Sequence, residues 1–95
     1  MVRIHNPESY SLLGYEINKG KKAKYDAILK NKKTGELKRI PFGQKGYEQF
    51  KDQLGHYSHL DHNDEKRRDN WIKRHKRNLD YKFSSAWFSH QCLWT

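Results

Sequence analysis

The sequence predicts an α+β domain: one β-hairpin packed on about three short helices, with an extended N-terminal arm. Three observations predict it. Two apolar runs joined by a glycine-ended turn stand together at residues 24–43. Apolar residues at helical spacing dominate from Tyr47 onward. Before Lys24 no helical period is visible, and Pro7 interrupts the chain. The boundaries follow: residues 1–23 form the arm and a basic connector, and residues 24–95 form the domain.

The chain has 95 residues, enough for one small domain with a modest core. Hydrophobic residues make up 34% and charged residues 33%, a balance that leans towards disorder, yet aromatic residues reach 14% and supply large apolar surfaces. A thin folded domain steadied by a partner is expected. The formal net charge of +9 exceeds what solubility requires and favours a polyanionic partner. The single cysteine, Cys92, excludes an internal disulfide. No apolar run approaches the length of a membrane span, and residues 2–13 contain Arg3, His5, Asn6, Pro7 and Glu8, unlike a secretory signal. The expectation is a soluble product made in the cytoplasm of its host cell.

In the arm, Leu12, Leu13, Tyr15 and Ile17 are potential anchors to the core or a neighbour. "NKGKKAK" reads as an exposed connector. In "KYDAILK" Tyr25, Ala27 and Leu29 alternate; "NKKTG" is a five-residue turn whose glycine tolerates positive φ; "ELKRIPFG" carries Leu37, Ile40 and Phe42. Pro41 cannot donate to a ladder, so that strand lies at an edge or ends there. "QKGYEQFKDQLG" places Tyr47, Phe50 and Leu54 at i, i+3 and i+7, predicting a short helix stopped by Gly55. Residues 56–62 read as a loop or single turn.

"NDEKRRDNWIKRHKRNL" predicts the longest helix. Asn63 is its expected N-cap, with Asp64 and Glu65 at the positive end of the dipole. Trp71, Ile72, His75 and Leu79 form one stripe, and Lys66, Lys73 and Arg77 the opposite face, with Arg74 beside them. "SSAWFSHQCLW" predicts a last short helix capped by Ser84 or Ser85. It is apolar nearly all round, so Trp87, Phe88 and Trp94 are expected to face a partner.

His59, His62 and His75 are the candidate metal ligands: an H-x2-H pair with a third histidine on the next helix. Zinc sites usually show two tight pairs, so capping or stacking roles are favoured and neither metal nor cofactor is expected. A metal nuclease would need its histidines nearer the hairpin. Cys92 stands among Trp87, Phe88, Leu93 and Trp94, where burial raises a thiol pKa and suits a small hydrophobe better than a nucleophile. The remaining candidate is the basic surface. Lys19, Lys21, Lys22 and Lys24 cluster in the connector. Lys32 and Lys33 lie in the turn, and Lys66, Arg67, Lys73, Arg74 and Arg77 on the long helix. There is no zinc finger, RNA-recognition signature or glycine-rich phosphate cradle, so nucleic acid would be held through backbone phosphates.

Over residues 24–94 the pattern FG-x-x-GY, H-x-D-x-x-RR, RH and a tryptophan-rich end resembles a small uncharacterised family of basic proteins encoded by large DNA viruses and marine phages. It covers Phe42, Gly43, Gly46, Tyr47, His62, Asp64, Arg67, Arg68, Arg74, His75 and Trp94. The chain departs by inserting "QLGHYSHLD" before His62. The resemblance implies a viral origin rather than a mechanism. With the thin core and basic face it leads to one expectation: a non-enzymatic minor capsid or capsid-associated protein, located in the virion among other virion proteins. The alternatives are a sequence-independent genome-packaging protein, a metal-dependent nuclease and an inhibitor of host defence.

Overall fold

The structure, a computed structural model, describes residue 4 and residues 6–95; the first three residues of the expected arm and His5 lie outside the described residues. Three strands form one antiparallel sheet in the order β1-β2-β3: β1 Tyr10–Ile17, β2 Ala23–Asn31 and β3 Leu37–Gln44. The hairpin is β2–β3, with Tyr25 opposite Phe42 and Ala27 opposite Ile40. Within the expected arm, residues 10–17 form a strand rather than a loose extension, pairing Tyr15 with Ala27 and Ile17 with Tyr25. A bulge between Leu12 and Gly14 shifts the register. It puts Tyr10 and Leu12 on the same face as Tyr15 and Ile17, so the apolar spacing is two, three, two.

Among the described residues there are two α-helices, α1, Glu65–Leu79, and α2, Ser85–Leu93, with short 3-10 turns at Pro7–Ser9 and Ser58–Leu60. Helix α2 packs on β3, and α1 packs on α2. This central position explains why α2 is apolar nearly all round. Its Phe88 is fully buried and stacks on Phe42 at 5.6 Å, so it belongs to the chain's own core instead of a partner-facing surface. Tyr25, Ala27, Leu29, Ile40, Phe42, Phe83, Cys92 and Leu93 complete that core with Ile4.

The expected helix over residues 44–55 does not form. Gly46 has φ 84°, which breaks a helical path at its start. The amides of Lys51 and Gln53 donate instead to the carbonyls of Leu93 and Cys92, at 2.9 and 2.8 Å. These are among the carbonyls that the end of α2 leaves without intrahelical partners. Gln49 forms a parallel bridge with Asp61. Polar side chains buried beneath the segment complete its hold. Asp52 accepts from the Tyr25 hydroxyl and the Tyr57 and Leu54 amides, and Gln49 donates to the Tyr57 carbonyl and Asp61. Lys24, expected on the basic surface, is buried; its ammonium donates to the Tyr47 carbonyl and to Gln49 Oε1.

The N-cap of α1 is Asp64, accepting from the Lys66 and Arg67 amides, one residue later than expected; Asn63 sits at φ 54° before it. Ser84 caps α2, accepting from the Trp87 amide. Trp71 is buried and Arg68, Ile72, His75, Asn78 and Leu79 are half-buried, so the expected stripe of α1 is its packed face. No helix among the described residues is long and apolar enough to cross a membrane.

Candidate nucleic-acid interface

A groove of about 610 Å³ opens between α1, α2 and the turn that follows β3. The flank of α1 supplies one wall. Arg67, Trp71, Arg74, His75 and Asn78 fall at i, i+4, i+7, i+8 and i+11, a single stripe at helical spacing, and all five line the groove. Ser85, Ser89 and Leu93 of α2 line it from below, with Trp94 at the end of that helix.

The opposite wall is the end of β3 with the turn that follows it, Gly43-Gln44-Lys45-Gly46-Tyr47. Gly43 and Gly46 hold φ 73° and 84°, conformations that side chains rarely adopt. At Gly43 a Cβ would also stand 2.9 Å from Leu93 Cδ1 and 3.2 Å from Lys24 Cβ. The Gly43 amide donates to Ser89 Oγ at 3.2 Å, and Ser85 Oγ donates to the Pro41 carbonyl at 2.8 Å, tying the turn to α2. Tyr47 then emerges with 62% of its surface exposed and lines the groove. Its backbone is fixed from below, because its carbonyl accepts from buried Lys24 at 2.6 Å.

Aromatic rings stack along this lining. Trp71 stacks on Trp94 at 5.1 Å with an interplanar angle of 4°, and on His75 at 4.2 Å and 22°. Arg67 pairs with Glu48 at 3.1 Å on the rim. Arg74 and the neighbouring Lys66, Lys73 and Arg77 are exposed, and no side-chain ion pair or hydrogen bond holds them among the described residues. Unpaired cations beside a groove keep their full attraction for an incoming anion.

The expected basic set is therefore divided. Arg67 and Arg74 line the groove, and Lys66, Lys73 and Arg77 extend its positive field over the outer face of α1. Lys21 and Lys22 lie in the β1–β2 turn, and the Lys22 carbonyl accepts from the Lys45 amide at 2.8 Å, beside the glycine turn. Lys32 and Lys33 sit at the other end of β2, about 26 Å away at 3.3 Å per residue. Trp87 is half-buried with its ring against Phe83 and Phe88, and Trp94 is half-buried against Trp71. Tyr47 and Trp71 are read from the sequence as members of the apolar faces of two helices, and neither is a candidate site residue there. The stripe through Arg67, Trp71, Arg74 and Asn78 was available in the sequence as the signal for the wall.

The three candidate metal ligands have separate surroundings. His59 is exposed beside Tyr57. His75 Nδ1 lies 2.9 Å from the Trp71 carbonyl, which can only accept, so this nitrogen carries the proton. His62 lies between Phe50 and Trp94, its Nδ1 accepting from the Asp64 amide at 2.9 Å. Among the described residues no group of three or more His, Cys, Asp or Glu is placed to hold a metal ion. Cys92 is buried, which pushes its thiol pKa up. No family model, curated protein or solved structure matches the chain.

His62 ties the wall of the groove to pH. Its Nε2 is buried with no hydrogen-bond partner among the described residues. Burial first, and then Arg67, hold its pKa below the ordinary 6.5, against the opposing pull of Glu48, Asp64 and Asp61. The unfolded chain therefore takes up this proton before the folded chain does, and folding stability falls as pH drops. His90, lowered by burial and by Arg68, acts in the same sense. The unfolding temperature is expected to hold down to about pH 6.5 and to decline below it. His62→Asn, whose side-chain oxygen can still accept from the Asp64 amide, should flatten that decline. An equal decline in the variant would contradict this role.

Proposed function

We propose that the chain is a non-enzymatic, sequence-independent nucleic-acid-binding protein. The observation that carries this reading is the stripe of α1 that places Arg67 and Arg74 along a groove lined by aromatic rings. Seven residues of helix separate them by about 10 Å, far enough apart for each to meet a different phosphate of one strand. A guanidinium fits phosphate oxygens in pairs, so each arginine can hold one phosphate. Lys66, Lys73 and Arg77 add a sequence-blind field on the adjoining face.

Of the expectations drawn from the sequence, the groove favours the genome-binding one over the capsid-component one. An acidic protein surface would also satisfy the cations; what favours nucleic acid is the placing of an exposed ring, Tyr47, in one groove with two phosphate-binding guanidiniums. The test is a titration of a labelled mixed-sequence oligonucleotide at about 50 and 200 mM salt, where the two arginine contacts and the field of the neighbouring cations make affinity fall with salt. Tight binding at low salt with a steep loss at high salt is expected, and equal affinity across unrelated sequences. No binding at the lower salt would overturn the proposal.

A further inference from the structure

We infer that the groove takes unpaired nucleotides of a single strand, with Tyr47 as the ring on which a base stacks and Arg67 and Arg74 as the phosphate contacts. This rests on the nucleic-acid reading above and narrows it. The groove's aromatic side chains divide into two kinds. Trp71 is committed to its neighbours: His75 and Trp94 both stack on it, and Trp94 is in turn flanked by His62. Tyr47 makes no ring contact among the described residues and is 62% exposed.

An exposed tyrosine in a loop is often plain surface. Here the backbone beneath it is held from two directions. Its carbonyl accepts from Lys24, whose ammonium is also bound by the fully buried Gln49, and its amide donates to the Gln44 carbonyl at 3.3 Å. The ring is thus presented from a fixed base at the edge of a groove lined by two arginines, and ordering it on binding costs little backbone entropy.

A base offers its face to such a ring only when it is unstacked and unpaired. In a duplex the faces are covered, leaving Tyr47 with nothing to stack on. A volume of about 610 Å³ lies in the range of small-ligand sites, so the groove can admit a nucleotide. Stacking tolerates any base, which agrees with a site that reads no sequence.

The test compares wild-type protein, Tyr47→Ala and Tyr47→Phe against a labelled mixed-sequence single strand, its matching duplex and a free mononucleotide at low salt. The wild type should hold the single strand about tenfold or more tighter than the duplex. Tyr47→Ala should weaken single-strand binding by about tenfold and leave duplex binding within about twofold, while Tyr47→Phe retains most of the affinity. The mononucleotide should bind far more weakly than the strand. Equal loss on both forms, no loss on either, a preference for duplex, or a mononucleotide held as tightly as the strand would each overturn the inference. Duplex binding that persists with no single-strand preference would leave the broader nucleic-acid reading standing. Binding to none of the three would remove both. Circular dichroism checks that the variants are folded.

Discussion

Asp52→Ala is expected to lower the unfolding temperature by about 15 °C, the largest single effect on stability. The carboxylate is buried and satisfies three donors: the Tyr25 hydroxyl at 2.6 Å, the Tyr57 amide at 2.7 Å and the Leu54 amide at 2.8 Å. Alanine removes all three acceptor positions at once. It also removes an attraction that favours the charged form of buried Lys24, whose pKa is already lowered by burial. Leaving buried donors unmatched costs about 1–3 kcal/mol each before relaxation, so a total of about 3 kcal/mol is a restrained figure. For a domain of this size that corresponds to roughly 15 °C. The loss matters to the groove as well, because this network holds the segment that carries Tyr47 and Glu48. Thermal unfolding followed by circular dichroism measures it. A drop of less than about 5 °C would mean that water replaces the carboxylate and that the network does not hold the segment.

Replacing Arg67 and Arg74 together by glutamine should weaken single-strand binding between tenfold and a hundredfold at about 50 mM salt. Each lost phosphate contact removes about 0.7 from the slope of log affinity against log salt for a single strand, so the double variant should lose about 1.4. Neither side chain is buried, so the fold should tolerate the change. Glu48 supplies an independent check of sign. Its carboxylate pairs with Arg67 at the rim and competes with phosphate for that guanidinium. Glu48→Gln should therefore raise affinity a few-fold at low salt. An exposed pair of this kind contributes little to stability, so unfolding should hardly change. Weaker binding in Glu48→Gln would place the phosphate contacts elsewhere.

The hairpin was legible because "KYDAILK", "NKKTG" and "ELKRIPFG" carry period and turn chemistry in local sequence. Strand β1 was hidden by the bulge at Leu13, which moves the apolar phase by one residue and breaks the alternation a reader looks for. The false helix over residues 44–55 arose because Tyr47, Phe50 and Leu54 have helical spacing by position alone. Gly46 at positive φ and the polar partners Asp52, Gln49 and Asp61 reject the helix through tertiary contacts that no local pattern encodes. Lys24 shows the same limit: a lysine in a lysine-rich stretch reads as surface until Gln49 and the Tyr47 carbonyl close over its ammonium.

For the groove, the basic side of α1 was readable from its caps and charge pattern. Tyr47 was not, since a ring that points away from the core has the same local spacing as one that packs into it. Phe88 was misread in the other direction. An apolar residue on every side of a helix signals burial, but not whether the cover comes from another chain. Here the sheet and α1 provide it.

The most direct measurement is a heteronuclear NMR titration of the folded protein with an unlabelled mixed-sequence single strand at low salt. Amide shifts should concentrate at residues 43–48 and on α1 around Arg67, Trp71, Arg74 and Asn78, with movement of the Trp71 and Trp94 indole signals. Lys32 and Lys33 at the far end of the sheet should be undisturbed. Shifts confined to that hairpin tip, or a spectrum unchanged by saturating strand, would contradict binding in the groove.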